Sequence, residues 1–212
     1  LKNAAIVAEH LRTTHYRYEV DEKEFLKAID DTIYCLGTYD ITTVWASVGH
    51  RLVSSYVRRD TDVKVLFSGE VADELGSYLY FLNAPNSEEY HYECIRLLNN
   101  IHYFDGLRSD RSISNAGLEA RIPFSDKDFL AYYLSIDPAL KMFTNGERIE
   151  KYLLRKAFSK YDYLPESVLW RRKNGFSDSV SSKERSWSTI LEEYIDTLIS
   201  DKEFYEEQRK YI

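Results

Sequence analysis

Cysteine and long apolar runs are both scarce in this chain. The two cysteines, Cys35 and Cys94, lie far apart and lack the spacing of metal ligands. We therefore expect two free, buried thiols, as is typical of a protein in the reducing cytosol. No apolar run approaches the roughly 20 residues that a membrane span needs, and the first residues do not resemble a signal peptide. The sequence thus predicts a cytoplasmic protein without a membrane anchor.

Positive charges are outnumbered by negative ones, which gives a formal net charge of −7. A surface without a basic stripe cannot release counterions from nucleic acid, so we expect no nucleic-acid partner. The hydrophobic fraction of 44% and the charged fraction of 30% are ordinary for a globular protein. A chain of 212 residues is long enough to bury a core and predicts one domain.

Helical and strand patterns alternate in the first part of the chain. The predicted elements are a strand at 15–20, helices at 21–36 and 41–57, a strand at 63–67 and a helix at 73–81. Asp21 is placed to cap the first of these helices, and Gly37 to end it. Strands that alternate with helices predict an α/β fold with a partial parallel sheet, whose ligands bind at the carboxyl ends of the strands.

Beyond residue 87 the pattern changes to helices alone. Helical spacing covers 88–104, 126–135, 148–161 and 187–200, and no segment there predicts a strand. The chain therefore divides into an α/β part over 1–86 and a helical part over 87–212.

The loop after the predicted strand at 63–67 carries the first candidate site. Ser68 and Gly69 end the strand, and Glu70, Asp73 and Glu74 follow within five residues. A strand that turns into a helix offers backbone N–H groups to anions, above all to phosphate. Carboxylates beside phosphate suit Mg²⁺ or a general acid or base. An acidic first helical turn that complements the helix dipole is the alternative interpretation.

Two further charged segments lie in the helical part. Glu119 is predicted to form a buried or cleft-facing ion pair with Arg121 or Arg111, although such pairs often only fix loops. Three consecutive cations at 171–173 precede a glycine, and Lys173 on such a loop could reach a polyphosphate. A solvated basic turn is the alternative for that segment.

Together these segments form an ordered set of motifs: Ser-Gly-Glu and Asp-Glu-Leu over 68–75, Tyr-Leu-Tyr-Phe at 78–81 with Ala-Pro at 84–85, Gly-Leu-Glu-Ala-Arg-Ile-Pro-Phe at 117–124, and Leu-Trp-Arg-Arg-Lys at 169–173 with Phe-Ser-Asp at 176–178. Tyr-Asp-Ile-Thr-Thr-Val at 39–44 and Glu-Lys at 150–151 with Leu-Arg at 154–155 fit in the same order. Over nearly its whole length the chain resembles the synthetase domain of glutamine-hydrolysing asparagine synthetases. This resemblance implies an α/β domain of the ATP-pyrophosphatase (adenine nucleotide alpha hydrolase-like) type with a helical extension.

The resemblance also implies a reaction and its residues. ATP and Mg²⁺ would activate aspartate as β-aspartyl-AMP, and ammonia would then displace AMP. Ser68 and Gly69 would belong to the nucleotide and pyrophosphate loop, and Lys173 would reach the phosphates. Glu70 would serve adenylate formation and the attack of ammonia, and Asp73 would lie near Mg²⁺ and pyrophosphate. Members of the family commonly pair, so a homodimer is a further expectation.

Several features depart from the family pattern. The first phosphate loop, Ser-Gly-Gly-Leu-Asp-Ser-Ser, and the cysteine-nucleophile domain that releases ammonia from glutamine do not occur in this sequence. Because the chain begins at Leu1 rather than Met, we expect it to be a fragment that both would precede. Val71 stands where the pattern has Gly, Trp45 where it has Arg, and Gly37 where it has Glu. The loop at 76–78 is one residue short.

Three hypotheses follow from these residues. The first is an aspartate-amidating enzyme domain, favoured by Glu70, Asp73 and Lys173. The second is a non-catalytic domain of the same fold that acts as a binding module, favoured by Trp45 and Val71. The third, which the motifs favour least, is a related adenylating enzyme such as a β-lactam-forming synthetase.

Overall fold

Helices dominate the computed structural model, which describes residues 2–144, 148–173 and 185–211. The first part contains α1 (Lys2–Leu11), α2 (Glu22–Lys27), α3 (Ile29–Leu36), α4 (Ile41–Asp60), β1 (Val65–Phe67) and a 3-10 helix (Leu79–Asn83). The second part contains α5 (Ser87–Asn100), a 3-10 helix (Ile101–Tyr103), α6 (Asp105–Ser114), β2 (Glu119–Arg121), a 3-10 helix (Pro123–Ser125), α7 (Lys127–Ser135), α8 (Pro138–Lys141), α9 (Tyr152–Phe158), α10 (Glu166–Leu169), α11 (Trp187–Leu198) and α12 (Asp201–Gln208). Among these residues no helix is long and apolar enough to cross a membrane.

The sheet of the described chain consists of β1 and β2, which run parallel. Leu66 lies opposite Ala120, and Ser68 N–H donates to the Arg121 carbonyl at 2.9 Å. The prediction that no strand follows residue 87 is therefore wrong. A segment of Glu-Ala-Arg has no apolar alternation, so only its pairing with a distant strand makes it a strand.

The predicted helix at 73–81 is also wrong. Residues 70–77 form a turn instead, closed by the Ser77 N–H, which donates to the Asp73 carbonyl at 2.8 Å. Gly76 adopts φ +96°, and a Cβ there would lie 1.9 Å from the Tyr90 hydroxyl. Because left-handed residues interrupt a right-handed helix, the helix N-terminus expected at Asp73 does not form. The alternative interpretation of the acidic loop, as a first helical turn that complements the helix dipole, is therefore wrong as well.

The segments before α4 differ from the prediction in two places. Residues 15–20 form no strand, and the predicted single helix at 21–36 is divided at Ala28 into α2 and α3. The predicted ends are confirmed: Asp21 caps α2 by accepting from the Glu24 N–H at 2.7 Å, and Gly37 ends α3 at φ +61°. Both cysteines are free, as predicted, but Cys94 is buried and Cys35 only partly buried.

The larger hydrophobic core joins elements from both ends of the described chain. Val48, Leu52 and Tyr56 of α4 pack with Phe25 of α2 and with Trp187 of α11. The ring of Phe25 meets the Trp187 ring edge-on, with centroids 4.5 Å apart. Trp187 thus fixes α11 against the helix that also carries part of the site described below.

A second core holds the turn after β1 in place. Phe81, Tyr90, Cys94 and Phe143 are buried together, and the Tyr90 hydroxyl donates to the Gly76 carbonyl at 2.9 Å. This bond ties α5 to the turn at its tightest residue.

Removal of the Trp187 side chain should destabilise the fold strongly. Because the ring is fully buried, Trp187→Ala leaves a large cavity and should lower the unfolding free energy by about 3 to 5 kcal/mol. Urea denaturation followed by circular dichroism measures this change. Tyr39→Ala is the control: the side chain is 90% exposed, so its removal should change stability by less than about 0.5 kcal/mol. Equal effects in the two variants would contradict the assigned core.

Candidate active site

Glu70 lies in the turn after β1, beyond the carboxyl end of the strand. Its backbone N–H donates to the Ser68 hydroxyl at 3.3 Å. Its side chain is largely buried between two helices: Arg108 Nη2 of α6 donates to Oε2 at 2.8 Å, and His50 Nε2 of α4 lies 3.7 Å from Oε1. Burial raises the pKa of Glu70 above its ordinary value, although the adjacent Arg108 acts in the opposite direction.

Arg108 connects Glu70 to a second group of buried polar side chains. The guanidinium also pairs with Asp105 Oδ1 at 2.6 Å, one helical turn away. The Tyr78 hydroxyl lies 2.8 Å from Asp105 Oδ2 and 2.9 Å from Glu74 Oε1. The Tyr78 hydroxyl has one proton, so it can donate to only one of these two carboxyl groups. The other contact requires a proton on the carboxyl group itself. Burial, together with Asp105, raises the pKa of Glu74 to about 8, so Glu74 holds that proton at neutral pH.

Asp73 lies between two ammonium groups from distant segments. Lys151 Nζ is 2.8 Å from Oδ1, and Lys173 Nζ is 2.8 Å from Oδ2. Burial alone would raise the pKa of Asp73, but the two lysines outweigh it and hold the pKa below its ordinary value. Lys173 Nζ also lies 4.6 Å above the Tyr78 ring, a distance at which a cation is attracted to the ring face.

Buried Glu150 fixes the segment that carries Lys173. Its carboxylate accepts from the Lys173 backbone N–H, and Arg155 Nη2 lies 3.6 Å away. Lys151 adopts φ +61° at the start of α9. The Glu-Lys and Leu-Arg motif therefore positions both lysines that face Asp73.

The structure brings together most of the residues predicted from the sequence. Glu70, Asp73 and Lys173 belong to one connected group of charges, with Ser68 at its edge. A Cβ added at Gly69 would meet no atom within 4 Å, so open space lies beside the backbone there. Residues 174–184, which include the predicted Phe-Ser-Asp motif, lie outside the described residues.

The predicted ion pair of Glu119 is confirmed in its partner but not in its burial. Arg121 Nη2 lies 2.6 Å from Glu119 Oε1, and both side chains are more than half exposed. In a strand, residues two apart point to the same face, and this face of β2 is open. Arg111 contacts a different region, where its carbonyl accepts from Cys35 Sγ at 3.3 Å.

The sequence predicts no role for several residues of the site, among them His50, Tyr78, Asp105, Arg108 and Lys151. The spacing of Asp105 and Arg108 by one helical turn is the signal that could have placed both on one face of α6. His50 gives no such signal, because a histidine on an amphipathic helix is ordinarily a packing residue.

The departures from the family pattern have distinct structural settings. Trp45 packs against the core around Val48 and Trp187. Val71 adopts φ +73° and is only 6% exposed. A β-branched residue in this region is strained by roughly 1 to 3 kcal/mol. The strain lies beside Glu70.

An apolar groove of about 560 Å³ adjoins the charged group. Leu11, Phe124, Phe158 and Leu169 are among its lining residues, and Lys151 borders it. Lys151 therefore connects the groove to Asp73.

The comparisons with known proteins identify the family. The asparagine synthase family model matches residues 1–91 and 82–212, so the chain belongs to the asparagine synthase family. The glutamine-hydrolysing asparagine synthetase of Homo sapiens is 45% identical over 196 residues, which are 92% of this chain and 35% of that protein. The enzymes so named from Gallus gallus and Rattus norvegicus are 45% and 42% identical over 97% of the chain and 36% of their own length. The chain thus spans about a third of these relatives.

The unfolding free energy should depend on pH through Glu74. Its pKa is raised from 4.5 to about 8, so between these values the folded state holds a proton that the unfolded state has released. The stability that Glu74 contributes is therefore full at low pH and lost as the pH rises through about 8. Glu74→Gln removes this loss. From pH 5 to pH 8 the unfolding free energy of Glu74→Gln, relative to that of the wild type, should increase by on the order of 1 kcal/mol per pH unit.

Urea denaturation in metal-free buffer at several pH values tests this expectation. His50, whose pKa burial lowers to about 4, contributes to both proteins and largely cancels in the difference. A stability difference that does not change between pH 5 and pH 8 would contradict the protonated Glu74.

The strain at Val71 should reverse the usual order of stability between alanine and glycine variants. At φ +73° only glycine is unstrained, so Val71→Gly should be more stable than Val71→Ala by about 1 kcal/mol. The matched control is Val48, buried within α4, where the glycine variant should be the less stable by about 1 kcal/mol. Denaturant unfolding of the four variants measures both differences. The same order at both positions would argue against a left-handed Val71.

Proposed function

We propose that this chain is the synthetase part of a glutamine-hydrolysing asparagine synthetase, which amidates aspartate at the expense of ATP through β-aspartyl-AMP. The observation that carries the proposal is the position of Glu70, buried at the end of β1 beside Arg108 and three residues from the doubly paired Asp73. Membership of the asparagine synthase family supports it.

Glu70 acts as the base in the second half of the proposed reaction. Ammonia attacks the β-carbonyl carbon of the adenylate, a C–N bond forms, and the bond to the AMP oxygen breaks. The nitrogen must lose a proton, which passes to the Glu70 carboxylate. A buried carboxylate with a raised pKa is a better proton acceptor than a solvated one. Arg108 holds the carboxylate in position through Oε2.

Lys151 and Lys173 bind the departing pyrophosphate. Two ammonium groups 2.8 Å from the same carboxylate define a positive patch, and such a patch stabilises the charge that develops on a leaving phosphate. Ser68 and Gly69 contribute the backbone beside it, where the open space at Gly69 admits a ligand.

Mg²⁺ fits this site only together with the phosphates. No group of three or more His, Cys, Asp or Glu side chains in the described parts of the chain could hold a metal ion. Mg²⁺ is commonly bound by one or two carboxylates with water and substrate phosphates, and Asp73 would be that carboxylate. The ion would neutralise charge on the pyrophosphate.

The domain organisation and surroundings form part of the proposal. The ATP-pyrophosphatase type of fold is supported by the parallel pairing of β1 with β2. We assign residues 1–86 to its α/β part and 87–212 to a helix-rich part that also contributes β2 to the sheet. The first phosphate loop and the glutaminase domain, as a source of ammonia, would precede residue 1. We also propose a cytoplasmic protein that pairs with a second copy.

A non-catalytic binding module is the second candidate. It is favoured by the strained Val71 beside Glu70 and by Trp45, which packs in the core where the family pattern has an arginine. A site that no longer turns over would tolerate both changes.

Aspartate-dependent release of AMP and pyrophosphate from Mg-ATP and ammonium tests the proposed function. This chain is compared with a version extended upstream, and we expect activity in the extended form only. If neither form releases AMP and pyrophosphate although both proteins are folded, the binding module is the function that remains.

Glu70→Gln should lower the rate of the active form by about a hundredfold or more, because the amide cannot accept the proton. Glu93→Gln is the matched control, since Glu93 of α5 also pairs with an arginine, Arg96, at 2.6 Å and has no role in the proposed reaction. Full activity of Glu70→Gln would remove Glu70 from the mechanism.

A further inference from the structure

His50 faces the one oxygen of Glu70 that Arg108 does not bind. Its Nε2 atom lies 3.7 Å from Oε1, whereas Arg108 donates to Oε2. His50 belongs to α4, Arg108 to α6, and Glu70 to the turn after β1. Three separate elements therefore converge on this carboxylate, and the imidazole is partly buried among them.

The proposed reaction leaves Glu70 in a state that must be reversed. After the attack of ammonia, Glu70 carries a proton, and the next cycle requires the carboxylate. Water has little access to the largely buried side chain, and Arg108, which stays protonated at all ordinary pH values, cannot accept the proton. The neutral imidazole of His50, which lies beside Oε1, can accept this proton.

We propose that His50 returns Glu70 to its carboxylate form by relaying the proton to solvent. This inference rests on the proposed function. The Glu70 Oε1–H bond breaks and an Nε2–H bond forms on His50. The imidazolium then releases this same proton from Nε2 to water or buffer, because the Nδ1 atom is buried, and His50 returns to its resting form. The first transfer requires His50 to carry its resting proton on Nδ1, so that the lone pair of Nε2 faces Glu70.

The distance of 3.7 Å is longer than a hydrogen bond. Catalytic hydrogen bonds are often long in ligand-free structures and tighten when substrates bind. A shift of less than about 1 Å would bring Nε2 within the usual range.

The charges around the pair suit a relay. Arg108 and Asp105 of α6 face the imidazole, and burial together with Arg108 lowers the pKa of His50 to about 4, against the opposing effect of Asp105. Glu70 is in turn surrounded by Arg108, Asp105 and Asp73. His50 is thus neutral at pH 7, so its ring can take the proton. The lowered pKa makes this transfer from Glu70 unfavourable and the imidazolium strongly acidic, so the release of the proton to solvent completes the step.

Substitution of His50 in the active, upstream-extended protein tests the relay. At pH 7 in dilute buffer, His50→Gln should lower kcat about tenfold or more and leave the KM values for ATP and aspartate unchanged. Added imidazole should restore kcat in proportion to its concentration. His10→Gln is the matched control: His10 is a half-buried histidine of α1 that contacts the Asp162 carbonyl at 2.9 Å, and its loss should change neither quantity.

Two outcomes would overturn the relay. One is an unchanged kcat for His50→Gln in dilute buffer, and the other is a loss that imidazole does not restore. An inactive wild-type protein would instead overturn the proposed function, and the relay with it, so the two failures are distinguishable.

The tautomer of His50 provides a measurement that does not depend on activity. Nitrogen-15 spectra of the wild-type chain at pH 7, assigned by comparison with His50→Gln, should show the proton on Nδ1. A proton on Nε2 would overturn the relay whatever the activity.

Discussion

The ion pair between Glu70 and Arg108 is the interaction on which the site depends. Burying two charges is costly unless each finds well-placed partners. Arg108 meets this requirement by binding Glu70 and Asp105 together, and Tyr78 extends the network to Glu74. The turn after β1 and α6 are thereby held in one arrangement, which α4 completes through His50.

The turn itself combines one strained residue with one unstrained one. Gly76 takes a left-handed conformation without penalty and lies against Tyr90, whereas Val71 takes a similar φ with a buried, branched side chain. Strain of this kind persists only where surrounding contacts over-determine the backbone. Here those contacts are the Tyr90 hydrogen bond to Gly76 and the ion pairs on either side of Val71, at Glu70 and Asp73.

The sequence motifs predicted which side chains lie together better than they predicted the secondary structure. Glu70, Asp73 and Lys173 belong to one group of charges, and the motifs that contain them indicated this from the sequence, whereas the roles of the three residues remain proposals. The helix at 73–81 was wrong because local apolar spacing does not reveal a residue forced to positive φ. Strand β2 and the partners His50 and Lys151 were missed because they depend on contacts between residues far apart in the chain, which single-sequence periodicity cannot report.

The small sheet leaves one of its strands in an unusual position. In the described part of the chain, β1 pairs along one edge only, and Phe67 at its end is 79% exposed. An open strand edge with apolar side chains is a template for backbone pairing with another chain. The strand that leads into the turn of Glu70 therefore also offers a backbone edge for pairing, and we expect the isolated chain to self-associate more readily as its concentration rises.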